Sequence, residues 1–252
     1  MNMDAVDLSI LGPAFLAGLL VLATHVPLGQ AVLKRGIIFI DLAIAQIAGL
    51  GVILVHSLYG EPSNWMVQVA ASATAIGGAF FLSWTERRMG RFQEAVIGIL
   101  FVLAASMSIL LLADNPHAGE RLKDLLVGQI LWVDGRDLYG VVVLYAIILA
   151  FWFGLRSRIG NTGFYILFSL NVMASVQLVG IYLVFASLII PALATVRSRY
   201  PLPFAYVLGI AAYLGGLLVS AVFDLPSGPV IVMALASLGV VGYLFLPNGE
   251  KV

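Results

Sequence analysis

Cysteine is absent from all 252 residues, which excludes disulfides and thiolate metal sites. Charge is scarce. Asp, Glu, Lys and Arg make up 10% of the chain, and 13 basic residues balance 13 acidic ones. That balance leaves no basic footprint for nucleic acid, and so little charge does not cover the surface of a soluble domain. The nucleotide-binding run G-x-x-x-x-G-K-[ST] is missing, so ATP hydrolysis by that route is not expected. H-E-x-x-H, C-x-x-C and G-x-S-x-G are missing too. With 3 histidines and no cysteine, an embedded enzyme has few parts to work with.

What the chain has in abundance is apolar sequence: 62% of residues are hydrophobic and mean hydropathy is +1.06. A bilayer span takes ~20 such residues, and the apolar runs here are separated by short polar breaks. The sequence predicts an all-α, polytopic membrane protein, a single transmembrane domain over 1–252 with no soluble domain. Spans are expected at about Ile10–Pro27, Ile37–Leu58, Trp65–Trp84, Ala95–Ala113 and Leu138–Leu155. A longer apolar stretch follows at Phe164–Thr195, then spans at Phe204–Phe223 and Pro229–Leu246. The acidic N-terminus lacks the basic region of a cleaved signal peptide, so the first run is expected to be retained.

Lysine and arginine set the expected orientation. Lys34 and Arg35, then Arg87, Arg88 and Arg91, then Arg156 and Arg158, then Arg197 and Arg199, and finally Lys251 all fall on one consistent side, read as the cytoplasm. Asp4, Asp7, Glu61 and Asp224 fall on the other. Arg158 and Arg197 share a side, so the chain crosses an even number of times between them. Two crossings give nine spans, N-terminus out and C-terminus in, with a turn expected at Gln177–Gly180. Eight spans, with part of the stretch re-entrant or broken, is the alternative; a broken helix is tolerated where it lines a cavity or is buried in protein.

Within that stretch, Val176–Val196 carries no charge. Pro191 kinks or ends a helix that runs through it, and Gln177 and Gly180 mark a break at the other end, so these three are expected to serve a helix break or gate. Asp41 is the carboxylate set well inside an apolar run. An ionisable residue there marks a pathway or a paired site, or else it caps a helix start beside Lys34 or Arg35. Gln46 lies five residues on, roughly 140° round the helix, so the two line one channel without stacking on one face. His25 closes the first expected span, as a pathway residue or as an interfacial histidine bonded to backbone. His56 and His117 are expected in ordinary loop roles. Asn171, Ser175 and Gln177 suit interhelical hydrogen bonds or a pore lining. Gly209, Ala212, Gly215 and Gly216 suggest a small-residue packing face, as do Gly239 and Gly242.

Four blocks then stand out in order: EAVIGILFVLAASMSILLL (Glu94–Leu112), LKDLLVGQILWVDGRDL (Leu122–Leu138), QLVGIYLVFASLIIPALATV (Gln177–Val196) and DLPSGPVIV (Asp224–Val232). Together they resemble the permease subunit of zinc and manganese ABC importers, from about Arg35 to the last span. The family's second span typically carries an Asp and a His four apart. Aligned through Gly51-Val52, Gln46 stands at the His position and Leu42 at the Asp position, with Asp41 displaced by one. The family's cytoplasmic segment with an Asp-Pro-Glu-like start is also missing after the fifth span, where RSRIGNTG runs into apolar sequence.

The resemblance implies import of a divalent transition metal, zinc first and manganese second, by alternating access. It implies a homodimer in the bacterial inner membrane, separate ATPase subunits, and a periplasmic metal-binding protein. The metal is cargo, with no tightly bound cofactor. Arg156, Arg158, Gly160 and Asn161 then form the ATPase-docking loop, and Asp41, Gln46 and His25 the metal pathway. Two alternatives stay open: a permease of the same fold for a metal chelate or siderophore, and a coupling-defective membrane partner or sensor. The charge pattern predicts that a reporter fused at Val252 reads as cytoplasmic; a periplasmic signal would refute the odd number of spans.

Overall fold

The computed structural model describes residues 8–113, 115, 118–133, 135, 138–155 and 158–245. Ten α-helices account for most of them: α1 (Leu8–Arg35), α2 (Ile40–Tyr59), α3 (Asn64–Met89), α4 (Gln93–Leu111), α5 (Ala118–Val127), α6 (Leu138–Gly154), α7 (Asn161–Val179), α8 (Ile181–Ala194), α9 (Pro201–Phe223) and α10 (Ser227–Phe245). Single 3-10 turns occupy Gly90–Phe92 and Ile130–Trp132. Six segments among the described residues are long and apolar enough to cross a bilayer, and one of these, residues 64–111, holds both α3 and α4. With the shorter apolar helices α6 and α8, nine apolar helices lie among the described residues, a number that both the nine-span and the eight-span readings accommodate. The chain is a multi-pass helical membrane protein.

Two compact units make up the chain. The first comprises Met1–Arg35, Leu126–Tyr145 and Leu178–Val252, and the second Gly36–Leu125 and Ala146–Gln177. In the first unit α8 packs against α1, α9 and α10, and α1 also meets α9. Small residues set these crossings. Gly29 of α1 lies against the backbone carbonyl of Leu188, Gly209 of α9 against Leu22, Gly216 against Ile231, and Gly239 of α10 against Ile190. A side chain at any of these would push the helices apart. Gly209, Ala212 and Gly216 are buried as a stripe, whereas Gly215 faces outward with open space beside it. The expected four-residue face is therefore three, because the 3.6-residue repeat carries Gly215 off the stripe.

The division of the long apolar stretch is confined to one residue. α7 runs through Gln177 to Val179, and Gly180 alone, at φ 80 and ψ 163, separates it from α8. The expected turn at Gln177–Gly180 is thus shorter than the sequence suggests. That backbone region is open only to glycine. A Cβ on Gly180 would strike the backbone of Val127 and Gly128, and one on Gly128 (φ 69) would strike Val179. A Cβ on Gly228 would meet the Val127 carbonyl. The 14 residues of α8 rise only ~21 Å, against a hydrocarbon core of ~30 Å. Pro191 neither ends nor breaks α8, which continues to Ala194; the Thr195 hydroxyl donates to the Pro191 carbonyl at 2.9 Å.

α1 also passes through its proline. The expected span ended at Pro27, but the helix continues to Arg35, which places His25 inside it rather than at its end. Pro27 has no amide for the carbonyl of Ala23, four residues back. The Tyr206 hydroxyl of α9 donates to that carbonyl at 2.9 Å. Tertiary contact thus replaces the lost helix bond.

In the second unit α2 packs against both α3 and α4. α3 offers buried Ala71, Ala75, Ala79 and Leu82 along one stripe, and Gly51 of α2 fits against Thr74 and the Ala70 carbonyl. α7 is the most enclosed of the long helices. Within its apolar window 67% is buried, against 17% for 64–111, so α7 is interior and much of α3–α4 is left for lipid. Phe164 of α7 packs on Trp152, Tyr165 and Phe168.

Tyr206→Phe strands the Ala23 carbonyl and is expected to lower stability by about 1 kcal/mol. Gly180→Ala is expected to cost far more, since the residue is strained and has nowhere to place a methyl group. Thermal unfolding of the purified protein in detergent checks both; equal effects would sink this account of the break.

Candidate functional site

Two acids of the second unit stand at helix starts, Asp41 on α2 and Glu94 on α4. Gly36 (φ 68) turns the chain after α1, and Phe39 caps α2 without a side-chain bond. Asp41 therefore sits in the first helical turn, where free amides and the helix dipole favour a carboxylate. The amides of Asp41 and Leu42 lie against it. It thus stands at a helix start, as one sequence reading allowed, but buried rather than at the surface. Asp41 is 1% exposed, while Lys34 and Arg35 are exposed. Both carboxylate oxygens are shut from solvent, and the amides of their own helix turn are the polar groups that meet them.

A second carboxylate shares the site. Glu94, in the first turn of α4, accepts the Phe39 amide on Oε1 at 3.1 Å. Its Oε2 is buried with no hydrogen-bond partner. The α2 cap and the α4 start are thereby joined, and Glu94 lies within electrostatic range of Asp41. Sequence reasoning missed Glu94, since it opens an apolar block directly after the Arg91 loop and reads as a boundary residue. The signal was its placement: an acid at a helix start, one turn inside the apolar run.

Gln93 fixes the start of α4. It is 2% exposed. Its Nε2 donates to the Leu82 carbonyl at 2.9 Å and to the Tyr165 hydroxyl at 3.3 Å, and its Oε1 accepts from Thr85 at 3.1 Å. One side chain therefore ties α3, α4 and α7 together, and a fully bonded buried amide holds its neighbours rigidly.

The remaining sequence candidates divide by place. Gln46 is half-buried on α2, on a different side of the helix from Asp41, as its five-residue offset requires. His25 belongs to the first unit. It is fully buried, with Nδ1 at 2.9 Å from the Val21 carbonyl and 3.2 Å from the Thr24 hydroxyl. His56 sits in the last turn of α2 near the Gly60 carbonyl, an ordinary loop role. His117 and Arg156 lie outside the described residues. Gln177 accepts from Gln68 Nε2 at 2.7 Å, an interhelical bond. Among the described residues no three His, Cys, Asp or Glu converge on one point.

The expected docking loop has a firm edge. Arg158 and Gly160 are exposed. Asn161 opens α7 and donates to Glu86, while Thr162 bonds Ser83 and Arg87, each at 2.8 Å. The loop is thus fastened to the end of α3 by side-chain bonds on its C-terminal side.

Comparison with known proteins adds the following. The sequence model of the ABC 3 transport family matches residues 7–159 and 149–246. The manganese transport system membrane protein MntC of Halalkalibacterium halodurans is 26% identical, over 95% of this chain and 88% of its own. The high-affinity zinc uptake system membrane protein ZnuB of Haemophilus influenzae is 26% identical, over 91% of this chain and 95% of its own. The solved structure of PsaBC from Streptococcus pneumoniae in complex with Fab superposes with a TM-score of 0.77 at 20% identity, covering 98% of this chain and 97% of that one.

Proposed function

The chain belongs to the ABC 3 transport family, and from that premise we propose that it is the membrane-spanning permease subunit of an importer for a divalent transition metal, zinc or manganese. It is a transporter subunit and not an enzyme. Relatives bearing manganese and zinc names cover nearly its whole length. The observation that carries the reading is Asp41, a carboxylate buried in the first turn of a largely apolar helix and shut from solvent. A membrane helix keeps such a residue only for a paired or transported charge. The ion is cargo, and ATP hydrolysis falls to separate ATPase subunits. A periplasmic metal-binding protein delivers the ion, two copies of this chain form the permease, and the assembly sits in the bacterial inner membrane. The loop 156–163, with Arg158 and Gly160 exposed, is the docking point for the ATPase. Because Asn161 and Thr162 bind it to α3, a push on the loop moves two helices together.

Gln46, at the position where the family resemblance implies a histidine, favours a second reading in which the cargo is a metal chelate needing no direct nitrogen ligand. Uptake of free ion against uptake of chelate separates the two.

In a strain lacking other importers, co-production with its ATPase and binding protein is expected to restore uptake of zinc or manganese. Asp41→Asn lowers uptake per assembled complex by about tenfold, equivalent to about 1.4 kcal/mol of lost attraction for the ion. Normal uptake by that variant would take α2 off the pathway. Separately, a cysteine at Gly160 is expected to crosslink to the ATPase subunit. Crosslinks from the Arg87–Arg91 region alone would move the coupling point there.

A further inference from the structure

We propose that the groove between α8 and α10 is a docking site for one anionic glycerophospholipid, with an acyl chain in the groove and the phosphodiester held by Arg197 and Arg199. The inference is independent of the transport reading and concerns the first unit alone.

The groove follows from residue size. Ile190 and Leu193 line it from α8, and Ala236, Gly239, Val240 and Tyr243 from α10. Within each helix these residues recur at helical spacing, so each set shares one face. Gly239 lies close against Ile190 and brings the two helices together. Ala236, one turn away, carries too little side chain to fill the space beside that crossing. A hollow of about 480 Å³ remains, within the ~300–1,000 Å³ typical of ligand pockets. Leu193 and Val240 are exposed, so the groove opens outward. Its lining is hydrocarbon apart from the Tyr243 hydroxyl, which suits an acyl chain and leaves the recognition of a head group to the groove's end.

That end carries the charge. Arg197 lies over the Tyr243 ring, 4.7 Å from its centroid, and Tyr243 is itself part of the lining. The ring therefore holds the guanidinium at the mouth of the groove. Arg199 follows in the same exposed turn, 5.5 Å from the Tyr200 ring. Within this unit neither arginine has a carboxylate to meet. Asp224 is the one acid among its described residues, and it caps α9 just before α10 begins. From Ser227 to Tyr243 the helix rises ~24 Å. The carbonyl ends of α8 and α10 bring about half a negative charge each, so two guanidiniums leave an excess of about one positive charge. One phosphodiester matches it, and the fork of guanidinium donors suits phosphate oxygens. Both arginines lie on the side that the charge pattern reads as cytoplasmic, the leaflet that carries anionic lipid. A second copy is a poorer occupant. A two-fold interface uses the same patch on both chains, which would bring arginines to the contact and no described acid.

The test uses the purified permease–ATPase complex, stripped of lipid in detergent and titrated with dioleoyl phosphatidylglycerol or dioleoyl phosphatidylcholine. Bound lipid is counted by native mass spectrometry. Phosphatidylglycerol is expected to fill one site per permease chain, and inorganic phosphate does not displace it. An arginine near an anionic group contributes about fivefold, so phosphatidylglycerol binds about 25-fold tighter than phosphatidylcholine. Arg197→Gln combined with Arg199→Gln erases that preference. Ala236→Phe fills the groove and weakens both lipids by about tenfold or more, because the acyl chain loses its place. Arg88→Gln removes a cation from over Trp84 in the second unit and leaves binding unchanged. Equal affinity for the two lipids, displacement by inorganic phosphate, an unchanged preference in the arginine pair, unchanged binding by Ala236→Phe, or an equal loss in Arg88→Gln would each overturn the site. Should Ala236→Phe fail to assemble, the arginine pair decides alone. The chain has no cysteine, so Val240→Cys supplies a single thiol. A disulfide between two copies through it, formed in native membranes, would seat a second copy in the groove and overturn the lipid.

Discussion

Three glycines in the first unit bring backbone against backbone, and much of that unit follows from the contact. Gly128, Gly180 and Gly228 come from three separate stretches, and each would strike neighbouring backbone if it carried a Cβ. In an apolar medium, helix association depends on close approach more than on hydrophobic driving force. The contact stops α7 at Val179, begins α8 at Ile181, and holds the turn between α9 and α10 against the segment after α5. The contact also brings together three of the sequence blocks that carry the resemblance. They are the parts of one crossing, and their spacing is set by the helices that return the chain to it.

Prolines and polar residues follow a related rule. Each backbone group that a membrane helix frees has to find another partner. Pro27 frees the Ala23 carbonyl, and Tyr206 takes it. Ser187 and Tyr213 pair at 2.9 Å inside the same unit. The interruption at Pro27 is tolerated because a neighbouring side chain completes it.

The second unit handles its polar groups differently. Gln93 is fully bonded and rigid, and the junction of α3 with α7 is closed by Glu86, Asn161, Ser83, Thr162 and Arg87. Against that background, Asp41 meets only the amides of its own helix turn, and Glu94 Oε2 is buried without a bond. Permease work is consistent with that contrast: a fixed frame around a site that exchanges its occupant.

Composition alone determined the class of this protein, because 62% hydrophobic residues with 10% charge leave few states other than a helical bundle in lipid. Span positions were legible for the same reason: apolar runs of bilayer length report themselves locally. Asp41 was legible too, as a charge where none is expected. What the tertiary structure decided was everything that depends on which helix lies beside which. Pro27 read as an end and proved to be interior, since the hydroxyl that repairs it comes from Tyr206, far away in sequence. Gly215 read as a packing residue and proved to face outward. Glu94 opened an apolar block and proved to be the acceptor for the Phe39 amide, which ties the start of α4 to that of α2. Local periodicity sets a helix and its length, but the partner of a polar group is fixed only when distant segments meet.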